Sequence, residues 1–183
     1  NIVYLDIKHF RTIQSLTWFP NPGVNRLVGI GDSGKTTVLD AIDFCLGARR
    51  NIAFSDYDFH LVDTSKPISV TVALGSLEVQ LLIVDRYGDF LYGFNPISSE
   101  FEEEPRESLE TILFLQMTVE KDLEPQWRLR SKRADEKGLE RNLRWEDRQN
   151  VSPIRLGEHT DWHLAWRRGA LFERLTDEKL GLN

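Results

Sequence analysis

The chain has 183 residues, enough for one domain, and its 40% hydrophobic and 28% charged content supports a core and excludes a disordered or collagen-like chain. The formal net charge of -6 excludes coating of nucleic acid by bulk electrostatics, though not a local basic patch. The apolar run at Leu81–Val84 is too short to cross a bilayer, residues 1–6 lack the regions of a secretory signal, and one cysteine, Cys45, fits a reducing cytoplasm.

In chain order, Ile2–Phe10 alternates Val3, Leu5 and Ile7 with polar neighbours and predicts a half-buried strand. Ile13–Phe19 predicts a second strand, ended by the turn sequence Pro20-Asn21-Pro22-Gly23. Asn25–Ile30, a short apolar run entering a Gly-rich loop, predicts a buried central strand. Lys35–Leu46 predicts a helix with Val38, Leu39, Ile42, Cys45 and Leu46 on one face and Gly47 at its C-cap. Ile68–Leu74, Glu110–Glu120 and Gln126–Arg130 predict further strands; Trp145–Asn150 and Ala165–Leu175 predict helices. The glutamates at 100, 102, 103, 104, 107 and 110, set against Arg106 alone, mark a solvated loop or hairpin tip.

The strong motif is Gly29-Ile30-Gly31-Asp32-Ser33-Gly34-Lys35-Thr36, which fits G-x-x-x-x-G-K-[ST], the phosphate-binding loop. Glycines at 29 and 34 let successive N–H groups turn inward around an anion at a helix N-terminus. Lys35 supplies a mobile point charge for the β and γ phosphates, and the Thr36 hydroxyl is placed to ligate Mg²⁺. The predicted cofactors are therefore ATP and Mg²⁺. The expected contacts are Gly29, Ile30, Gly31, Asp32, Ser33, Gly34, Lys35, Thr36 and Thr37, with Lys35 and Thr36 in the catalytic roles. Asp32 is unusual in an anion cradle, since its carboxylate repels phosphate unless it points outward.

Three segments resemble the N-terminal ATPase lobe of the SMC/RecF/RecN class, and most closely the OLD (overcoming lysogenization defect) family of ATP-dependent nucleases. They are Ile2-Val3-Tyr4-Leu5-Asp6-Ile7-Lys8-His9-Phe10-Arg11, Gly23–Gly29 and Ser33–Ile42. In that family the first strands carry I-x-N-F-R, and the loop and helix read G-K-[ST]-[ST]-x-L-[DE]-A-[IL]. His9 stands here where Asn is usual, and Asp32 where Asn or Gly is commoner. Residues 1–183 contain no apolar strand ending in Asp-Glu (Walker B), no Leu-Ser-x-Gly signature and no Toprim metal ligands.

The resemblance implies an α/β, P-loop NTPase fold: a mixed sheet with an antiparallel N-terminal hairpin, one P-loop helix, and a β-rich and helical C-terminal segment. It divides the chain into an ATPase lobe at 1–75 and an extension at 76–183 leading towards an arm. The implied function is ATP binding in DNA processing, repair or phage defence, with poor hydrolysis by this chain alone. The implied partners are nucleotide, a second copy or second ATPase half, and DNA through domains outside this chain; no membrane is implied, and the location is cytoplasmic. Two alternatives stand: a nucleotide-gated interaction module that pairs with a separate chain, and a self-contained small P-loop kinase or GTPase, for which no Asn-Lys-x-Asp motif is present.

Weaker signals are read structurally. Asp56-x-Asp58-x-His60 and His159-x-Asp161-x-His163 resemble no metal motif and are expected to make loop hydrogen bonds or ion pairs. Trp127, Trp145, Trp162 and Trp166 alternate with Arg128, Arg130, Arg144, Arg167 and Arg168; packing is expected ahead of nucleic-acid stacking. Arg49 and Arg50 are expected in a solvated loop and Cys45 in the core. Gln80 and Gln116 are both candidates for the glutamine that contacts Mg²⁺ and water in such heads.

Overall fold

Alternation of apolar and polar residues builds the centre of the fold. In the computed structural model, which describes residues 1–31, 33–48 and 52–154, the strands are β1 (Ile2–Phe10), β2 (Ile13–Trp18), β3 (Ile68–Leu74), β4 (Leu91–Asn95), β5 (Glu100–Glu102), β6 (Glu110–Val119) and β7 (Pro125–Arg130). The helices are α1 (Lys35–Leu46), α2 (Val84–Tyr87), α3 (Lys132–Glu136) and α4 (Trp145–Val151). Asn1–Ser152 forms one compact unit; Pro153–Asn183 is a second, of which only residues 153 and 154 are described. No helix among the described residues is long and apolar enough to cross a membrane.

The strands lie in the order β2-β1-β3-β6-β4-β5, and every ladder among them is antiparallel. β6 pairs with β3 through Leu113–Val119. Its other edge is shared: β4 takes Glu110–Leu113 and β7 takes Phe114–Val119. The β1–β2 hairpin closes through Arg11-Thr12, with Phe10 paired to Ile13. His9 and Arg11 have φ of 54° and 49°, in the left-handed region where Asn, Asp and His are enriched. That backbone requirement accounts for a His at position 9, where the resembling family has Asn.

α1 covers one face of the sheet. Leu5 and Ile7, Val70 and Val72, and Leu115 and Met117 point to it from β1, β3 and β6 and meet Val38, Ala41 and Cys45. Each such side chain, fully buried, is worth about 1.5–3 kcal/mol. Cys45 is completely buried, its Sγ 3.6 Å from the Val70 carbonyl oxygen, and desolvation pushes its thiol pKa up from 9.0 to about 12. The native thiol is therefore expected to ignore a disulfide reagent at pH 8 and to react only on unfolding, which a thiol-release assay with and without urea reads. Because the folded value lies above the unfolded one, this group's contribution to stability is complete below pH 9 and drains away as the pH rises from 9 towards 12.

The C-terminus of α1 is gripped from outside. Arg148 of α4 donates from Nε to the Gly47 carbonyl (3.1 Å) and from Nη2 to that of Cys45 (3.4 Å), while Trp127 Nε1 donates to that of Phe44 (3.2 Å). The Arg148 guanidinium also stacks 4.3 Å from the Trp127 ring centroid. These contacts satisfy carbonyls that a helix end leaves without partners. Gly47 is required by close approach: a Cβ there would lie 2.3 Å from the Asp43 carbonyl oxygen. Nearby, buried Tyr87 donates its hydroxyl to Asp147 (2.5 Å).

The opposite face of the sheet carries a polar row and an aromatic group. Thr17 donates to Asp6 (3.0 Å), the Gln116 amide to Ser69 (3.0 Å) and Thr71 (3.3 Å), and Arg128 Nε to the Gln116 Oε1 (3.1 Å). Tyr4, Tyr92, Phe101 and Phe114 pack edge to face beside it.

Two sequence expectations need correction. Residues 25–30 are not a buried strand: the segment is irregular, with Val28 and Ile30 91% and 86% exposed. A strand needs a ladder neighbour, and among the described residues this segment pairs with no strand. Leu39 is likewise off the buried face of α1, 48% exposed, because contact runs through Val38, Ala41 and Cys45. The glutamate-rich stretch ends as expected, solvated beyond the short β5. The expected helix at 165–175 lies outside the described residues.

Candidate nucleotide-binding site

Residues 29–31, 33 and 34 run irregularly into α1. Gly34, the residue before the helix, has φ 85° and ψ 7°, which allows the chain to turn and the first helical bond, Val38 N–H to the Gly34 carbonyl (2.9 Å), to form. The Lys35 ammonium donates to the carbonyls of Gly29 (2.9 Å) and Ile30 (2.7 Å) and to Ser33 Oγ (3.1 Å). The loop thus curls around its own cation. No acidic residue occupies the first turn of α1, so the positive end of the helix dipole is left uncompensated there. The Thr36 side chain is exposed, whereas Thr37 is buried with its Oγ1 3.4 Å from that of Thr12.

Two recesses meet at this loop. A small one of about 120 Å³ is lined by Thr12, Ser33, Gly34, Lys35, Thr36 and Thr37. A wider cleft of about 660 Å³ starts from Ser33, Gly34 and Lys35 and runs along β2 to Trp18, with Arg26, Leu27 and Val28 on its far side. The small recess presents hydroxyls, one ammonium and a helix N-terminus, a set suited to phosphate. The cleft beside it lies within the size range of small-ligand sites.

Replacing Gly34 by alanine forces a left-handed backbone on a residue with a Cβ, about 1–2 kcal/mol, and sets that Cβ 3.1 Å from Thr12 Oγ1. The expected result is a melting temperature lower by several degrees together with weaker phosphate binding, checked by thermal scans with and without nucleotide.

The β1–β2 turn that carries Thr12 is pinned by its neighbour. Arg11 Nε donates to Asp58 Oδ1 (2.8 Å), and its guanidinium also pairs with Asp40 on α1. Its N–H donates to the Asp58 carbonyl (2.8 Å), and His60 Nδ1 lies 2.8 Å from the Arg11 carbonyl oxygen. Partial burial opposes the charge on Arg11, but the bonds to Asp58 and Asp40 outweigh it and raise its pKa above the ordinary value. One side chain therefore ties the turn to α1 and to the 56–60 segment.

With this geometry in place, the family model described as "AAA domain, putative AbiEii toxin, Type IV TA system" matches residues 24–182. The chain belongs to this AAA-domain family. The domain is similar to the DNA replication and repair protein RecF of Marinomonas sp. (strain MWYL1), 51% identical over 41 residues, covering 22% of this chain and 11% of that protein. It is similar also to RecF of Shewanella baltica (strain OS155 / ATCC BAA-1091), 45% identical over 51 residues, 28% of this chain and 14% of that protein. The matched segment thus spans only a small fraction of these relatives' length.

A solved structure described as "Structural biochemistry of ATP-driven dimerization and DNA stimulated activation of SMC ATPases" aligns over 98% of both chains with a TM-score of 0.51 and 14% identity, a likeness of fold. The AAA domain is therefore of the P-loop ATPase type, similar in sequence to RecF over the matched segment and in fold to the solved SMC ATPase structure.

The structure brings together most of the residues read from the motif: Gly29, Ile30, Ser33, Gly34, Lys35, Thr36 and Thr37 meet around one ammonium or one recess, and Gly31 is exposed with open space about it. Asp32, Arg49, Arg50, the 159–163 triplet, Trp162, Trp166, Arg167 and Arg168 lie outside the described residues. Asp58 and His60 are engaged with Arg11 as loop hydrogen bonds and an ion pair, and no group of three metal-ligating side chains gathers among the described residues. Gln116 is held in the polar row on the face away from α1, and Gln80 is exposed in a short 3₁₀ turn at 79–82. Trp127 packs, as expected, against the end of α1. Thr12 carried no signal in the sequence, and the Gly23–Gly29 resemblance did not place Arg26–Val28 on a cleft wall, since each is brought to the loop by the hairpin and the irregular segment.

Proposed function

We propose that the chain is the nucleotide-binding lobe of an ATPase head, acting in DNA processing, repair or phage defence, with the OLD-family nucleases as its kin. The observation that carries this reading is the Lys35 ammonium, wrapped by the loop carbonyls and opening onto a hydroxyl-lined recess at the N-terminus of α1. Lys35 would turn from the carbonyls of Gly29 and Ile30 to the β and γ phosphates, the N–H groups at the start of α1 would donate to phosphate oxygens, and the 660 Å³ cleft would take the ribose and base. The exposed Thr36 hydroxyl fits a Mg²⁺ ligand, and the ion supplies charge neutralisation between the phosphates.

Hydrolysis also needs an acidic partner for the metal and a positioned water. No Walker B or Leu-Ser-x-Gly motif occurs in residues 1–183, so turnover requires a second ATPase half. The relatives named for DNA replication and repair, and the fold neighbour named for ATP-driven dimerization, support this assignment. A second reading, nucleotide-gated pairing with a separate chain, is favoured by the exposed Val24, Val28 and Ile30 beside the nucleotide cleft. Titration of wild type and Lys35→Ala with MgATP tests the main reading: equal affinity removes it.

A further inference from the structure

The sheet face away from α1 holds a second cavity, of about 460 Å³, lined by Tyr4, Thr71, Tyr92, Phe101, Glu103, Phe114, Arg130, Lys132 and Asp135. Its position follows from strand alternation: Tyr4, Thr71 and Phe114 point opposite to Leu5, Val70 and Leu115, which pack against α1. It lies where β6 changes neighbour, β4 leaving at Leu113 and β7 beginning at Phe114, so an otherwise continuous sheet opens into a hollow.

The walls are aromatic and the rim is polar in both senses. Phe114 stands among Phe101 (ring centroids 5.0 Å apart), Tyr92 (5.2 Å) and Tyr4 (6.0 Å) in edge-to-face contacts that fix the ring orientations. Lys132 pairs with Glu103 (2.6 Å), and its N–H donates to the Tyr92 hydroxyl (2.8 Å), so that rim is set by the ring beneath it. The guanidinium of exposed Arg130 makes no hydrogen bond or ion pair among the described residues, and Asp135 on α3 is exposed beside it. The Thr71 hydroxyl sits at the floor, 1% exposed.

Two cations and two carboxylates cancel, so the cavity has no net attraction for a polyanion, which distinguishes it from the P-loop recess. The fitting ligand is flat, aromatic and bears hydrogen-bond acceptors and donors on its edge: the acceptors face Arg130 and the donors face Asp135. We propose that this cavity is a nucleobase-binding site, separate from the P-loop, that takes one base between aromatic walls. The base comes either from a free nucleoside or from an unpaired position in a single strand; Arg128, two residues before Arg130 on β7 and on the same face, lies next to it as a phosphate contact for a strand.

The test uses the full chain carrying Lys35→Ala, which silences the P-loop, and two probes: 2-aminopurine riboside and a single-stranded oligothymidylate with one 2-aminopurine. Saturable fluorescence quenching by at least one probe is expected, with the free nucleoside binding independently of salt because the rim charges cancel. Binding of the nucleoside assigns the free-ligand source, and binding of the oligonucleotide alone assigns the strand source. Phe101→Leu is expected to weaken binding about tenfold or more, the effect of one lost stacking surface. Arg130→Gln and Asp135→Asn, both on exposed side chains that the fold does not need, are expected to weaken it severalfold each at unchanged melting temperature. No saturable quenching by either probe, or quenching untouched by all three substitutions, overturns the proposal whatever the P-loop binds.

Discussion

Lys35→Ala is expected to lower MgATP affinity by about 100-fold or more while leaving the unliganded fold intact. The ammonium is the cation of the P-loop recess, and its three donors are all in use, on Gly29, Ile30 and Ser33. Binding exchanges two neutral carbonyl acceptors and a hydroxyl for charged phosphate oxygens, and a charge-assisted bond contributes about 1.5–3 kcal/mol. A factor of 100 corresponds to about 2.7 kcal/mol, within reach of one to two such bonds. The same three bonds lie at a half-exposed loop, so their removal costs the free protein little. Isothermal titration gives the affinity and a thermal scan the stability. A variant that binds like wild type would show that the phosphates lie elsewhere.

Phe10→Ala is expected to cost about 3–5 kcal/mol of folding stability, the range for emptying a fully buried aromatic site. Phe10 is the last residue of β1, is 0% exposed, and bridges to Phe59 across the 56–60 segment. Its ring lies 6.1 Å from Phe44 of α1 in an edge-to-face contact and 4.9 Å beneath the Arg11 guanidinium. Alanine therefore removes the wall on which the Arg11 bridge between Asp40 and Asp58 is seated, and nucleotide affinity should fall with stability. Urea unfolding at constant m-value measures the first effect; a loss below about 1 kcal/mol would mean that the site collapses to fill the void. Phe10→Leu, which keeps most of the volume, is expected to lose far less.

The parts of the fold that were legible in the sequence are those in which one period dominates. β1, β3 and α1 have the bounds their patterns predict, and β2, β6, β7 and α4 are within a residue of them, because in each the apolar residues recur with one period that the flanking turn or polar residues end. Residues 25–30 misled for a stated reason: a short apolar run carries no information on whether a ladder partner stands beside it. β4 was hidden because Gly93 breaks its alternation; a Cβ there would lie 2.6 Å from Leu109 Cδ1, so the position is set by close packing rather than by propensity. Within the candidate site, the loop residues were readable from local spacing. Arg11, Asp40 and Asp58 were not, since their bridge joins positions 29 and 47 residues apart and only the folded chain shows it.

α1 is fastened at its middle, to Arg11 through Asp40, and at its C-terminal end, to Arg148 and Trp127 through its last carbonyls. Twelve residues at about 1.5 Å each make a strut some 18 Å long. A strut held at its middle and its far end is expected to move as one piece, so a displacement of Gly34 and Lys35 reaches the segment from Trp145 to Val151 through Arg148.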